Sequence, residues 1–424
     1  MTILWITPKI TVGLVRHFSL KISINPLGGW LELTSQKLIQ TPNIRLVVCF
    51  DNHGLASIPP HMSDDDYEYF SISNDDKIGL SIEAMLNELN PDFIHIFGTE
   101  SDFVRKCGNI CCDNGYSDRM AIWIQGLKYA YAKHYMGGIP EIQNKITLRD
   151  MLRRDSLKRQ KNKFSTEGEE EINLLKKVSI VTGRTDWDLA HTTLINNKLK
   201  YVKINETMRQ PFYEHHWNIS KIKRHSIFVS QSHYPIKGVH WIIEALYIIK
   251  QHYSDAKLYI SGSNNTFVEG VKATAYGKYI QNLIRKYSLE DNIEYIGMLD
   301  EEGMVKRYLN THVFVSPSSI ENSPNSVCEA MLLGMPVVSS YVGGIADLLV
   351  HGKEGFLYQY DSPYMLAFYI LKIFGNDTLA VKLGVNANRH AKVTHDPEKN
   401  FQNLLSLYRH FQKKENAIYG SEIK

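Results

Sequence analysis

The residues best suited to chemistry in this chain crowd into one segment, Ser316-Pro-Ser-Ser-Ile-Glu-Asn-Ser-Pro-Asn-Ser-Val-Cys-Glu, which runs on into Ala-Met-Leu-Leu-Gly-Met-Pro-Val-Val. An apolar run ending at Val315 reads as a strand, and a polar loop follows. A helix is expected from Pro324, with Ser323 as N-cap and Pro324 at the first helical position. The backbone N–H groups of Asn325 and Ser326 then stand unpaired at the positive end of a helix, where a phosphate can be held without a basic side chain. Glu321 lies in the loop and Glu329 inside the helix. Carboxylates are poor phosphate ligands but good acceptors for vicinal hydroxyls. One would hold a sugar ring and the other a ribose diol, on either side of a diphosphate. The plainer alternative is a solvated loop glutamate and a favourable charge near the helix start.

Two further strand ends are polar: Ile94-His95-Ile96-Phe97-Gly98-Thr99-Glu100 and Ile122-Trp-Ile124-Gln125-Gly126. Gln125 cannot exchange protons, so it would bind sugar without acting as a base. His95 and Glu100 are the groups there that could exchange protons, the alternative for His95 being a hydrogen-bonded core histidine. After a later strand comes Gly183-Arg184-Thr185-Asp186-Trp187-Asp188. Arg184 would pair with a phosphate or an acceptor anion, or form a structural Arg–Asp pair.

The elements that must position these groups are short β-branched runs alternating with amphipathic ones. One series of strands is Ile3–Ile6, Ile44–Phe50, Phe93–Phe97, Ala121–Ile124 and Val178–Thr182. The second is Ser226–Val229, Lys257–Ile260, Ile293–Ile296, Val313–Val315 and Val337–Ser339, with helical patterns between its members. Near-continuous apolar strands separated by helices indicate parallel sheets buried on both faces. The fold class is therefore α/β, with two doubly wound, Rossmann-like domains. Their boundary falls in Arg209–Arg224, giving 1–215, 216–395 and a last helix and tail, 396–424. Ligands of such sheets sit at strand carboxyl ends, so two domains facing each other would enclose a cleft.

Composition agrees with a two-domain globular chain. There are 424 residues, 43% hydrophobic and 22% charged, with a net charge of +3. So small an excess argues against a nucleic-acid binder. Five cysteines make no disulfide framework, and Cys107, Cys111 and Cys112 lack partners at zinc-ligand spacing. The N-terminus reads as a first strand instead of a signal peptide. No apolar run is long enough to span a bilayer, so a cytoplasmic location is expected.

The residues resemble the family-4 retaining glycosyltransferases, which have the GT-B fold. Their hallmark is Glu, seven residues, then Glu, followed by a small-residue helix, Gly-x-Pro-Val-Val and a Gly-Gly turn. Here these are Glu321, Glu329, Gly334-Met-Pro336-Val-Val and Gly343-Gly344-Ile345, followed by Gly352-Lys-Glu-Gly355-Phe. The resemblance implies that Glu321 contacts the donor sugar, Glu329 the nucleotide ribose, and the backbone at Asn325, Ser326 and Val327 the diphosphate. Ala346 and Asp347 depart from the usual Pro and Glu. Lys237-Gly238 resembles the pair that opens the first helix of the donor domain, with Lys237 meeting phosphate as a point charge. A solvated lysine is the alternative. The Arg often found about five residues earlier is replaced by Gln231-Ser232-His233, leaving Arg184 or backbone as substitutes. Gly297 matches a turn that holds the nucleobase, or is a simple strand-end glycine. Pro26-Leu-Gly28-Gly29-Trp30 resembles the glycine-rich loop after the first strand, where backbone approaches donor or acceptor closely. Many relatives have His where this chain has Gln125, so the resemblance implies that Gln125 binds the acceptor without acting as a base and that His95 and Glu100 are the candidates nearest an acceptor hydroxyl. The strings Asp64-Asp-Asp66 and Asp186-x-Asp188 formally read as the metal signature of the other glycosyltransferase fold, but neither has its context. No obligatory metal or cofactor is expected.

The implied activity is retaining transfer of a sugar from a nucleoside-diphosphate donor, UDP or GDP, to a saccharide or lipid-linked saccharide in cell-surface polysaccharide synthesis. A GT-B sugar-nucleotide epimerase and a catalytically inactive partner subunit are the alternatives. Between Lys145 and Lys163 there are eight basic residues against Asp150 and Asp155. With the stripe Leu148, Met151 and Leu152, this basic surface would suit peripheral contact with anionic lipid at the inner face of the membrane; a solvated helix is the alternative.

Overall fold

A computed structural model describes residues 1–22, 29–55, 57–140, 146–262 and 266–420, with side chains to residue 411. The chain divides into two compact units. Unit 1 comprises Met1–Lys128, Glu167–Arg209 and His395–Lys424; unit 2 comprises Tyr129–Thr166 and Gln210–Thr394.

Among the described residues, unit 1 is built on eight strands: β1 (Thr2–Thr7), β2 (Arg45–Asp51), β3 (His61–Ser63), β4 (Glu68–Ile72), β5 (Phe93–Phe97), β6 (Met120–Trp123), β7 (Ile180–Gly183) and β8 (Lys200–Lys203). They lie in the order β3-β4-β2-β1-β5-β6-β7-β8. All neighbours are parallel except the short edge strand β3, which is antiparallel to β4. β5 and β6 are buried at every residue, as their unbroken apolar runs require of strands covered on both faces. The aromatic core joins Trp5 to Phe97 (centroids 4.8 Å apart) and Phe97 to Trp123 (5.8 Å). The helix Pro397–Gly420 closes this core, burying Phe401, Leu404, Leu405 and Tyr408.

Among the described residues, unit 2 has six strands, all parallel: β9 (Lys223–Val229), β10 (Lys257–Ser261), β11 (Ile293–Gly297), β12 (Thr311–Ser316), β13 (Val337–Ser340) and β14 (Phe356–Tyr358). Their order is β11-β10-β9-β12-β13-β14. The chain winds outward from β9 in one direction and from β12 in the other. The switch point therefore lies between β9 and β12, and their carboxyl-end loops are where a ligand belongs.

The expected division placed all of 1–215 in one domain, whereas Tyr129–Thr166 clusters with unit 2. The reason is a set of polar anchors. The Gly137 carbonyl accepts from His240 Nε2 (2.8 Å) and Trp241 Nε1 (3.1 Å), and the Asp150 carboxylate accepts from the Ala275 N–H (2.9 Å). Gly137, at φ +57°, is needed there because a Cβ would stand 2.5 Å from the Pro235 carbonyl.

Candidate functional site

The site is built from the loops after β9 and β12. The helix following β12 runs Asn325–Leu333, and its N-cap is Pro324 with no side-chain cap. This is one residue later than the Ser323 cap expected from sequence. Pro324 takes an extended conformation (ψ 120°), so its fixed φ serves the chain just outside the helix. Val327 N–H donates to the Pro324 carbonyl at 3.0 Å, which commits that group within the helix's first turn. Asn325 and Ser326 present N–H groups for which no earlier turn can supply acceptors.

Glu321 is buried, and its Oε1 accepts from Lys237 Nζ at 2.6 Å and Ser318 Oγ at 2.7 Å. Its backbone is gripped as well: the Glu321 carbonyl accepts from Gly344 N–H at 3.1 Å. Gly343 sits at φ +51°, where a Cβ would come within 1.8 Å of that carbonyl oxygen. The Gly-Gly turn is thus the only chemistry that lets the loops approach this closely.

Lys237 ends a 3-10 turn, Pro235–Lys237, and Gly238 follows at φ +67°. A Cβ on Gly238 would lie 1.9 Å from the Pro317 carbonyl. The two loops are also tied by Ser319 N–H donating to the Ile236 carbonyl at 2.8 Å. Burial works against the Lys237 ammonium, but the Glu321 carboxylate outweighs it and the pKa is pushed up to about 12. His233 moves the other way, down to about 4, through burial first and the Lys237 charge second. It is neutral at physiological pH and does not replace the absent Arg as a cation.

Glu329 is buried in the Asn325–Leu333 helix. The Tyr308 hydroxyl lies 3.5 Å from its Oε2 and 3.0 Å from the Ser326 carbonyl. Gly297 ends β11 at φ +75° with open space on its Cβ side. Its carbonyl accepts from Gly262 N–H at 3.0 Å, and Tyr295 donates its hydroxyl to the Gly262 carbonyl. Unit 2 therefore brings Glu321, Lys237, Gly238, Asn325, Ser326 and Glu329 onto two interlocked loops and one helix start.

The residues expected from the N-terminal half fare differently. His95 is fully buried at the centre of β5; its Nδ1 lies 2.7 Å from the Tyr408 hydroxyl and its Nε2 3.1 Å from Thr182 Oγ1. Burial lowers its pKa to about 3. With both nitrogens occupied and no exposure, it is a core histidine, and the catalytic expectation is corrected. Arg184 is corrected too. It is buried against Glu206 (2.6 Å), and its Nη2 donates to the Ile124 and Gln125 carbonyls at 3.2 Å. Its charge is already matched, and by a glutamate, not by an aspartate of its own segment. Asp188 instead forms a capping box with Thr185 on the helix Asp186–Ile195.

Glu100 remains partly exposed; burial raises its pKa and the Thr99 N–H bond opposes that rise. Gln125 donates to Glu206 Oε1 at 2.8 Å. Gly29 lies beside Arg209, whose Cγ would stand 3.1 Å from an added Cβ; Gly28 lies outside the described residues. Asp64 is a turn residue, its Oδ1 accepting from the Asp66 and Tyr67 N–H groups (3.0 and 2.8 Å). Sequence reading missed Ser318, Tyr308 and the Gly137 anchor. A serine-rich loop hinted at the first; the others gave no local signal.

Residues 213–390 match the family model described as glycosyl transferases group 1. The match lies within unit 2 and spans less than half of the chain. The chain is 27% identical over 177 residues to the capsular polysaccharide biosynthesis glycosyltransferase CapM of Staphylococcus aureus. That match covers 42% of this chain and 44% of CapM, so the chain matches less than half the length of this curated relative. Sucrose-phosphate synthase from Thermosynechococcus elongatus has a TM-score of 0.71 at 14% identity, covering 98% of this chain and 100% of that one. HepE of Anabaena, solved with UDP-glucose, has a TM-score of 0.67 at 16% identity, covering 97% and 100%. These likenesses give both units the GT-B architecture of Rossmann-like α/β domains.

Proposed function

We propose that the chain is a retaining glycosyltransferase of the hexosyltransferase type. It moves a sugar from a nucleoside diphosphate to a saccharide or lipid-linked saccharide in cell-surface polysaccharide synthesis. The observation that carries this reading is the Lys237–Glu321 pair set beside the start of the Asn325–Leu333 helix, with Glu329 buried further along it. Lys237 and the first helix N–H groups stabilise charge on the departing diphosphate. Glu321 accepts from donor-sugar hydroxyls, Glu329 from the ribose, and the turn at Gly297 receives the base.

In the reaction the anomeric C–O bond to phosphate breaks and a bond to the acceptor oxygen forms on the same face. The acceptor proton passes to the departing phosphate oxygen. Glu321 is not a nucleophile in this scheme. Because Lys237 and the helix start already offset the phosphate charge, no obligatory metal is assigned. Glu100 and Gln125 of unit 1 are the proposed acceptor contacts. The likeness to HepE, which was solved with UDP-glucose, supports a UDP-sugar as the first donor to try.

The test is transfer by the full chain from UDP- and GDP-sugars, with and without EDTA, to extracted lipid-linked saccharides. Glu321→Ala is expected to lose about a hundredfold or more in rate, and NMR of the product to show retention. Full activity in that variant would sink the site assignment. An isomeric nucleotide sugar formed from donor alone would indicate an epimerase instead, and absence of turnover with every donor a non-catalytic subunit.

A further inference from the structure

The helix Leu148–Arg153 is amphipathic in the wrong sense for a soluble surface. Its acidic residue, Asp150, and its capping threonine, Thr147, face inward. Thr147 caps it, its hydroxyl accepting from the Asp150 N–H at 3.1 Å. Asp150 is 3% exposed, with one carboxylate oxygen on the Ala275 N–H and the other 3.0 Å from Arg149. Its apolar residues face outward: Ile146 is 66% exposed, Leu148 56%, Met151 60% and Leu152 73%. Anchoring Asp150 at the start of the Ala275–Lys286 helix fixes this orientation, so the exposure belongs to a capped helix and not to a loose loop. A contiguous apolar patch of this kind marks a surface that meets a partner.

The charge around the patch says which partner. Arg153 and Arg154 are exposed beside it, and Lys158, Arg159 and Lys163 are exposed on the next helix, Leu157–Leu175. The two nearby acids are already engaged, since Arg149 bridges Asp150 and Asp155. An apolar centre with a rim of long cationic side chains suits a bilayer surface: the apolar residues enter the acyl boundary while the stems let the charges stay with headgroup phosphates. A second copy of the chain would set one basic rim against another.

We propose that Ile146, Leu148, Met151 and Leu152 insert shallowly into an anionic bilayer, with Arg153, Arg154, Lys158, Arg159 and Lys163 on lipid phosphates. This stands independently of the transfer reaction and is read without any donor or acceptor. The experiment is co-sedimentation of the full chain with phosphatidylcholine vesicles, with or without about one third phosphatidylglycerol. Binding to the anionic vesicles is expected to be at least about tenfold stronger and to weaken with salt. Met151→Ser with Leu152→Ser should lower it by about tenfold or more, the loss expected when two large apolar side chains no longer leave water. Arg153→Gln with Arg154→Gln should lower it about as much. All four positions are exposed, so thermal unfolding should match the wild type. Equal binding to both vesicle types, or no binding to either, would overturn the proposal. So would a dimer in analytical ultracentrifugation that the Met151/Leu152 variant abolishes.

Discussion

Lys237 and Glu321 neutralise each other across 2.6 Å inside a site where both are largely buried, and that pairing governs what either substitution does. Removing one partner leaves a buried charge uncompensated, whereas removing both does not. Lys237→Met is therefore expected to cost about 3 kcal/mol of unfolding free energy in urea titration. The double variant Lys237→Met/Glu321→Gln should recover most of that loss while transfer stays abolished, which separates the pair's structural role from its chemical one. Gly343→Ala attacks the same carboxylate through backbone. At φ +51°, with a Cβ 1.8 Å from the Glu321 carbonyl, the loop must move, and kcat is expected to fall with little change in circular dichroism. These residues were legible in sequence because their types and spacing are local: the glutamates flank one helix start, and the glycines answer to one turn. His95 and Arg184 were misread for the opposite reason. A polar residue on a strand does not announce its partner, and Tyr408, which lies 2.7 Å from His95 Nδ1, is 313 residues away in the chain.

Elements were read more faithfully than caps. The helix expected from Pro324 begins one residue later, at Asn325, and the long strands follow their β-branched runs. Of the strands that escaped, β3, β8 and β14 are only three or four residues long and β4 is broken by Glu68 and Ser71, so none shows a clear apolar run. Ser323 lost the cap to Pro324 because proline's φ suits both positions and spacing alone cannot choose between them. The Tyr129–Thr166 segment was illegible, since carbonyl anchors carry no sequence pattern. Two element-scale tests follow from this geometry. Gly137→Ala places a Cβ 2.5 Å from the Pro235 carbonyl at φ +57°. It should cost about 1–3 kcal/mol and lower hydrogen-exchange protection of the Val239–Lys250 helix start. Thr185→Ala removes the capping box of Asp186–Ile195; about 1 kcal/mol is expected from the lost cap, seen as a lower urea midpoint.

At the scale of the whole molecule, each unit carries histidines sealed in the neutral form, and this makes folding itself pH-dependent. His95 lies in the core of unit 1 with its pKa lowered to about 3, and His240 in unit 2 with its pKa lowered to about 4, both mainly by burial. His240 Nε2 faces the Gly137 carbonyl and its Nδ1 the Tyr276 hydroxyl. In the unfolded chain both titrate near 6.5. Below that pH the unfolded state binds protons that the folded state refuses, so stability rises with pH across this window. The contribution is fully present above about pH 6.5, erodes as pH falls, and stops changing below the folded values near 4 and 3. For His240 alone the span corresponds to about 3 kcal/mol. Lys237, held near 12, adds nothing in this range, because it is charged in both states. Urea unfolding followed from pH 7 to pH 4 should thus show a steep loss of stability. His240→Gln, which keeps a hydrogen-bonding group but cannot titrate, should flatten the slope while lowering the value at pH 7. An unchanged slope in that variant would mean that His240 takes up protons equally in the folded and unfolded states, and that burial does not lower its pKa.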